Sequence, residues 1–542
     1  MDQKYIISHD MGTSSNKAVL LTVTGEIIDH ATRSYPTGTI FPQPGYAEQV
    51  PDEYVTAIIE STRELMDKTD TKPEKIAGIT FCTQMQGFIA IDKDGTPLTN
   101  NYNWLDSRGA ANIHAGKHKL YGSLIKVSGY SPLRLWRFLR ITGGVPGQAG
   151  KDQVPKVFWL LDNHPEIYEK TYKFLDAKDY VIFKLTGNIM TSSDLAVLWW
   201  LLDTRKKSRA YGKWSKKLCK MLKLPGLIDK LPEVRNPADI AGTLLPSKAK
   251  DMGLSPETPV INGVGDMTAA ATGSGALAEG ELHISVGTSG WVIGHVTQRK
   301  LDLFHYTGCA GSAHPDKYYL AIGHQETAAG AFEWLMDKIL YYRDRLREEA
   351  GEEEGEPPYA LFQELASTVP AGSNGLIFTP WLAAERCPLD DDTVRGGLHN
   401  INLGHTRSHL IRGVFEGVAY NLRWALETVE NLYPPPVTKV NIIGGGAVSD
   451  VWCQIFADVF NKEVHRVENP KEAGAKGAAL LASYALGFME QYEDIKNYIR
   501  IDKVFKPNLD HVKLYNDMFK EFKNLYKYNR KFYKRMHSTA PN

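Results

Sequence analysis

Short apolar blocks that end at glycine set the pattern of the first thirty residues. "YIISHDMG" (5–12) is β-rich, "KAVLLTV" (17–23) follows, and "TGEIIDHA" (24–31) continues through a Gly turn, which predicts a three-stranded meander. "PQPGYAEQVPDEYVTAIIESTRELMDK" (42–68) has Pro/Gly loop chemistry and then the period of an amphipathic helix from about Asp52. "IAGITFCTQMQGFIAID" (76–92) predicts a second strand pair with "KDG" at its turn.

The stretch 165–235 is more helical and runs into the Pro-studded "KLPEVRNPADIAGTLLPSKAKDMGLSPETPV" (230–260). We place a domain boundary there, dividing the chain into 1–255, 256–490 and a basic, aromatic extension over 491–542. Beyond it, "VINGVGDMTAAATGSGA" (260–276) reads strand, turn, helix. "GELHISVGTSGWVIG" (280–294) reads as a strand pair, and "VNIIGGGAVSDVWCQIFADVF" (440–460) as strand, three glycines and helix. In the tail, Met518, Phe519, Phe522, Leu525 and Tyr526 have helical spacing, which favours a closing helix over a nucleic-acid contact. The charged stretch 343–357 reads as an exposed helix end and loop.

Composition narrows the class. At 542 residues the chain exceeds one ordinary core. Hydrophobic content of 43%, charged content of 23% and zero formal net charge fit a soluble globular protein with neither nucleic acid nor membrane as partner. The five cysteines are scattered and no HExxH occurs, so neither a zinc site nor a disulfide framework is expected. No signal-like or membrane-spanning run occurs, and the cytoplasm is the expected compartment.

Two hairpins carry the same tip, Gly12-Thr13-Ser14 and Gly287-Thr288-Ser289. Such a tip offers N–H groups and hydroxyls that can cradle phosphate oxygens, although Gly-Thr-Ser is also an ordinary turn composition. No Walker A sequence is present, and Gly273-x-Gly275-x-x-Ala278 follows a helix-like run, so it is set aside as a dinucleotide fingerprint. Asp10, at the end of a strand beside the first tip, suits a magnesium ion near phosphates or an Asx turn. Asp266 suits a general base or a helix N-cap. Gly444, Gly445 and Gly446 make either a flat platform for a purine or a tight turn.

Taken in order, "DMGTSSNKAVL", "GVGDMTAAATGSGALAEGELHISVGTSGW", "RSHLIRGVFEGVAY" and "IIGGGAVSDVWCQIFADVFNKEVHRVENPKEAGAKGAALLA" resemble the FGGY carbohydrate kinases of the actin-like ATPase superfamily. "PQPGYAEQ", "KVFWLLDNHPEIY", "DAKDYVIFKLTG" and "WLAAERCPLDDDTVRGGLHNINLGHTRSHL" agree, and the likeness spans about residues 4–490. The resemblance implies an α/β, two-domain actin-like (ribonuclease H-like) fold with the active site in the interdomain cleft. It implies ATP and Mg²⁺ as cofactors, and a small sugar or polyol as substrate, with a single chain or a homodimer as the assembly.

By the same resemblance Thr13, Ser14, Ser15, Lys17, Gly287 and Thr288 face the phosphates, and Gly444, Gly445 and Ser449 border the adenosine. Asp10 supports Mg²⁺, through water, and Asp266 is the catalytic base. Within the family the likeness is to xylulokinases, which implies phosphorylation of D-xylulose to D-xylulose 5-phosphate. The sugar contacts implied are Met85, Gln86, Trp104, Asp106, Asp266 and Met267, with the loop "ITGGVPGQAGKD" (141–152) on the substrate side. Met85-Gln86 stands where the family usually has Met-His, and Met267 where many members have Asn or Gln. The alternatives are another FGGY substrate (ribulose, a pentitol, erythritol, glycerol or gluconate), a non-kinase actin-like ATPase, or a regulatory pseudo-kinase.

Overall fold

The structure is a computed structural model that describes residues 3–539 except 115–119, 122–126, 128, 303–304, 341–358 and 434–435. The charged stretch 343–357 therefore lies outside the described residues.

The predicted meander forms. Tyr5–Met11 pairs antiparallel with Ser15–Thr22, which pairs antiparallel with Ile27–Ser34. Tyr5–Met11 also pairs in parallel with Ile76–Thr83. Side chains alternate across these strands, and both faces are covered. Ile6, Val19 and Leu21 pack under Ala475, Ala479 and Ala482 of the helix Ala473–Ala485. Ile7, Ala18 and Leu20 pack against Tyr54, Ile58 and Leu65 of the helix Pro51–Thr69. That helix begins with Pro51 and carries Asp52 and Glu53 in its first turn, where a fixed φ and negative charge both favour an N-terminus.

This first sheet has seven strands and continues through Pro259–Ile261 to Ile240–Thr243, with Val264–Gly265 also paired to Ile76–Thr83. Two sequence expectations are corrected here. The Pro-rich stretch is the edge of the first sheet, so a boundary at 255/256 falls inside that sheet, and the change of lobe comes after the helix Asp266–Gly273. Ile89–Ile91 does not pair back on Ile76–Thr83; it pairs antiparallel with Lys173–Leu175, because Phe88 and Phe174 meet edge-on in a separate aromatic core.

The second seven-stranded sheet runs Gly308–Gly311, Tyr319–Gln325, Gly290–Val296, Leu282–Val286, Lys439–Ile443, Glu463–Val467 and Ile501–Phe505. Its core lies against the helix Arg407–Glu430. The residues after 491 are part of this lobe, not an appendage: Ile501–Phe505 closes the sheet, and Phe519 and Phe522 of the helix Leu509–Thr539 are buried in its core. The closing helix is thus as its spacing predicted. Gly273 ends a helix, as expected for the discarded fingerprint.

The lobes exchange helices. Asp266–Gly273 leaves the first sheet and lays Ala271 on Ile293 and Leu320 of the second. Ala473–Ala485 leaves the second and covers the first. They touch backbone to backbone: a Cβ on Gly273 would stand 1.8 Å from the Ala473 carbonyl oxygen, and one on Gly477 would stand 2.1 Å from that of Ala269. Only glycine permits that approach.

Candidate active site

Tyr5–Met11, Ile76–Thr83 and Val264–Gly265 run in parallel, so their carboxyl ends share one edge of the first sheet. Asp10 lies beside Cys82, and Cys82 beside Val264. Asp266 follows two residues later as the first residue of its helix. Adjacent strands are about 4.8 Å apart, so this row brings the two expected acids to one end of the sheet. Asp10 and Asp266 each raise the other's neighbourhood in negative potential: Cys82 between them feels Asp10, Asp266 and Asp194.

Burial pushes the Asp266 carboxyl up to about 7; the Met267 N–H, 2.7 Å from Oδ1, opposes this, while Asp10 and Asp194 add to it. Burial also raises Asp10, against the pull of Lys17 and of the Cys82 thiol, whose Sγ lies 3.7 Å from Asp10 Oδ1. A carboxyl balanced near neutrality, beside a second acid, is the environment of a proton acceptor.

The two Gly-Thr-Ser tips close alike. The Gly12 N–H bonds the Ser15 carbonyl at 3.0 Å and the Gly287 N–H bonds the Ser289 carbonyl at 3.1 Å. The N–H groups of Thr13, Ser14, Thr288 and Ser289 carry no hydrogen bond among the described residues. The donors offered to an anion are therefore those beside the glycines, while the Gly12 and Gly287 N–H groups close their own turns. The hydroxyl-bearing Ser14 and Thr288 are exposed, and Ser15 is partly so.

Both tips open towards the same junction. Lys17 Nζ reaches Glu472 Oε1 of the second lobe at 3.3 Å. Two residues away the Pro470 carbonyl accepts the Gly444 N–H at 2.9 Å. Gly444, at φ +92°, lies so close to Val286 that a Cβ would be 2.8 Å from its carbonyl oxygen. Val286 leads directly into Gly287. Gly445 has open space where a side chain would be, which leaves a bare platform. Ser449, expected to border the adenosine, is buried, and its Oγ accepts the Trp452 N–H as the cap of the helix Asp450–Phe460.

On the other side of Asp266, Trp104 Nε1 donates to Thr13 Oγ1 at 3.0 Å, tying the expected sugar wall to the first tip. Gln86, in the left-handed region at φ +70°, gives its Nε2–H to Asp152 Oδ1 at 3.2 Å. Asp152 also accepts the Trp200 indole N–H and the Gly147 N–H. Met267 is partly exposed and packs with Met85, Leu195 and Leu198. Met85 is buried against Gly265, where a Cβ would meet its side chain at 2.5 Å, so it backs the site.

Asp106 is a correction. It is fully buried and all its capacity is used by Arg108 and by the Ala47 N–H at 2.8 Å. Arg108 is stacked by Tyr46, Tyr102 and Trp159 and also pairs with Glu48. The pair braces the turn that presents Trp104 and leaves no carboxylate oxygen for a sugar.

Sequence reasoning missed three side chains. Lys156 is buried, with Nζ bonded to the carbonyls of Gln86, Tyr102 and Asn103; burial draws it down to about 7. Its place at the start of "KVFWLLDNHPEIY" was the available signal. Asp152 closes the loop 141–152, already flagged as a unit. Asp194 had no signal: its buried carboxylate accepts the Gly265 N–H at 2.8 Å from a helix that "SSDLA" does not announce.

Comparisons with known proteins cover both lobes. The family model "FGGY family of carbohydrate kinases, N-terminal domain" matches residues 5–273, and the corresponding C-terminal domain model matches 282–486. The xylulose kinase of Bacillus subtilis (strain 168) is 30% identical over 528 residues, covering 96% of this chain and 97% of that protein. Two crystal structures from Lactobacillus acidophilus, both 26% identical with a TM-score of 0.84, superpose on nearly the whole chain. The gluconate kinase covers 99% of this chain and is itself covered 100%; the ligand-bound xylulose kinase covers 98% and is covered 100%. The two lobes have the actin-like ATPase fold. No helix among the described residues is long and apolar enough to cross a membrane.

Proposed function

The chain belongs to the FGGY family of carbohydrate kinases, and from that premise we propose that it transfers the γ-phosphoryl group of ATP to a primary hydroxyl of a small ketose, D-xylulose giving D-xylulose 5-phosphate. As a family member it is a phosphotransferase acting on an alcohol group. The observation that carries the phosphoryl-transfer reading is the Asp266 carboxyl, drawn up to about 7 at the end of the strand row that also holds Asp10.

Asp266 accepts the proton of the sugar hydroxyl as that oxygen attacks phosphorus in line. The free N–H groups of Thr13, Ser14, Thr288 and Ser289, with Lys17, hold the phosphates and take up charge on the transferring group. Trp104 and Gln86 orient the sugar.

Asp10 fits a magnesium ion. One oxygen meets only the Cys82 thiol and the other has no hydrogen bond among the described residues. No group of three or more His, Cys, Asp or Glu among the described residues holds a cation unaided, which suits an ion that arrives with phosphates and water. When bound, such an ion supplies charge neutralisation at the phosphates.

The ketose is supported by the xylulose kinase relatives and by Gln86. Asp152 accepts one N–H of its amide, which leaves Oε1 as an acceptor that suits a hydroxyl and opposes a carboxylate. A second reading, an aldonate such as gluconate, has the gluconate kinase likeness and the neighbouring cations Lys151 and Arg386 in its favour.

The test is a coupled ADP-release screen over ketopentoses, pentitols, tetritols, glycerol and aldonates, with Asp266→Asn alongside. The expected result is highest kcat/KM with D-xylulose. Asp266→Asn should lose about 10²–10⁴-fold in kcat with ATP binding intact. Because the base acts deprotonated, kcat/KM should fall as pH drops through about 7. Normal turnover by Asp266→Asn ends the base assignment; a gluconate preference moves the substrate to the second reading.

A further inference from the structure

Asp194 sits at the seam of the lobes and touches both the strand that presents the base and the edge of the opposite sheet. Its Oδ2 accepts the N–H of Gly265, the residue immediately before Asp266, at 2.8 Å, and its Oδ1 is buried with no partner among the described residues. Its helix, Ser193–Val197, abuts Gly308–Gly311 of the second sheet: a Cβ on Gly311 would stand 2.4 Å from the Asp194 Cα. The Gly311 carbonyl in turn accepts Thr268 Oγ1 at 3.4 Å, two residues beyond Asp266. Ser193 and Gly311 also line a cavity of about 220 Å³ between the lobes.

A buried carboxylate with no cation in its hydrogen-bond set and one orphaned oxygen is costly to the fold. What it secures is the backbone that enters the Asp266 turn. We propose that Asp194 is a positioning residue for phosphoryl transfer. It fixes the Gly265 amide so that the Asp266 carboxylate is aimed at the sugar hydroxyl, and Gly311 passes movement of the second lobe to it. This rests on Asp266 being the general base. A displacement of about 1 Å at a reacting group can cost about 10²-fold, so the effect belongs in kcat.

The test is steady-state kinetics of Asp194→Ala, Asp194→Asn and Gly311→Ala in the full chain, each checked by circular dichroism and thermal melting. Asp194→Ala leaves the Gly265 N–H unpaired and should lower kcat about 10–100-fold, with the sugar KM within about threefold. Asp194→Asn keeps an oxygen acceptor and should return kcat to within about fivefold of the parent. Gly311→Ala pushes on the Asp194 backbone from the other lobe and should lower kcat in the same direction. A folded Asp194→Ala with parental kcat overturns the proposal. So does a folded Asp194→Asn no better than Asp194→Ala, since acceptor capacity would then not be what matters. Asp266→Asn separates the claims: if it is dead while Asp194→Ala is normal, only the Asp194 role falls.

Discussion

The two Gly-Thr-Ser turns share a composition but not a wiring. The first is bonded outward: Thr13 Oγ1 takes the Trp104 indole N–H, the Thr13 carbonyl takes the Gln49 amide N–H at 2.7 Å, and Lys17 crosses to Glu472 of the other lobe. The second is bonded inward. The Gly287 and Thr288 carbonyls accept the N–H groups of Ala328, Ala329 and Gly330, all at the entrance of the helix Ala329–Trp334 in the same lobe. The first turn is thus tied to Trp104 and to the opposite lobe, while the second is a braced shelf. One Gly-Thr-Ser composition has been set into one responsive mount and one rigid mount.

The shelf should break most severely. Gly444 occupies φ +92°, ψ 176°, a region open to glycine alone, and its backbone abuts Val286 at the root of the second turn. Gly444→Ala adds about 1–3 kcal/mol of backbone strain and pushes on that root. ATP affinity by calorimetry should fall about tenfold or more, with sugar affinity within about threefold. An equal loss of both would mean that the second turn is not a separately braced unit.

The responsive mount should give a smaller, broader effect. Thr13→Val keeps the shape and removes the acceptor of the Trp104 N–H, a bond worth about 1 kcal/mol. The KM for sugar and for ATP should both rise, by about three- to tenfold. Thr288→Val is the control: its hydroxyl has no bond among the described residues, so only the KM for ATP should move. If both variants move only the ATP term, the link from Trp104 to the first turn carries nothing.

This asymmetry was hidden in the sequence although both turns were plain in it. The hairpins, the glycine run, the strand–turn–helix at Asp266 and the closing helix follow from local periodicity and glycine placement, which short stretches encode. What escaped depends on partners far away in the chain. Asp106 looks like a sugar ligand until Ala47 and Arg108 are seen to use its oxygens. Ser449, expected beside a nucleotide, also caps its own helix. Asp194 meets Gly265 across 71 positions, and no local pattern marks such a pair. The boundary after 255 failed for a related reason: proline punctuates a sheet edge as readily as a linker.

The smallest effect lies at the crossing contact. Lys17 and Glu472 are 3.3 Å apart with side chains 33% and 21% exposed, so water screens the pair and its worth is about 1 kcal/mol or less. On the proposed function the phosphates of a nucleotide reach the same junction and compete with Glu472 for the Lys17 ammonium group. Glu472→Gln should therefore release Lys17 to the nucleotide and lower the KM for ATP by about two- to threefold at low salt. The difference should shrink as ionic strength shortens the Debye length below about 8 Å. A rise in the KM for ATP would place Glu472 among the groups that hold the nucleotide, and the first turn would then answer to the second lobe through the ligand rather than through a direct ion pair.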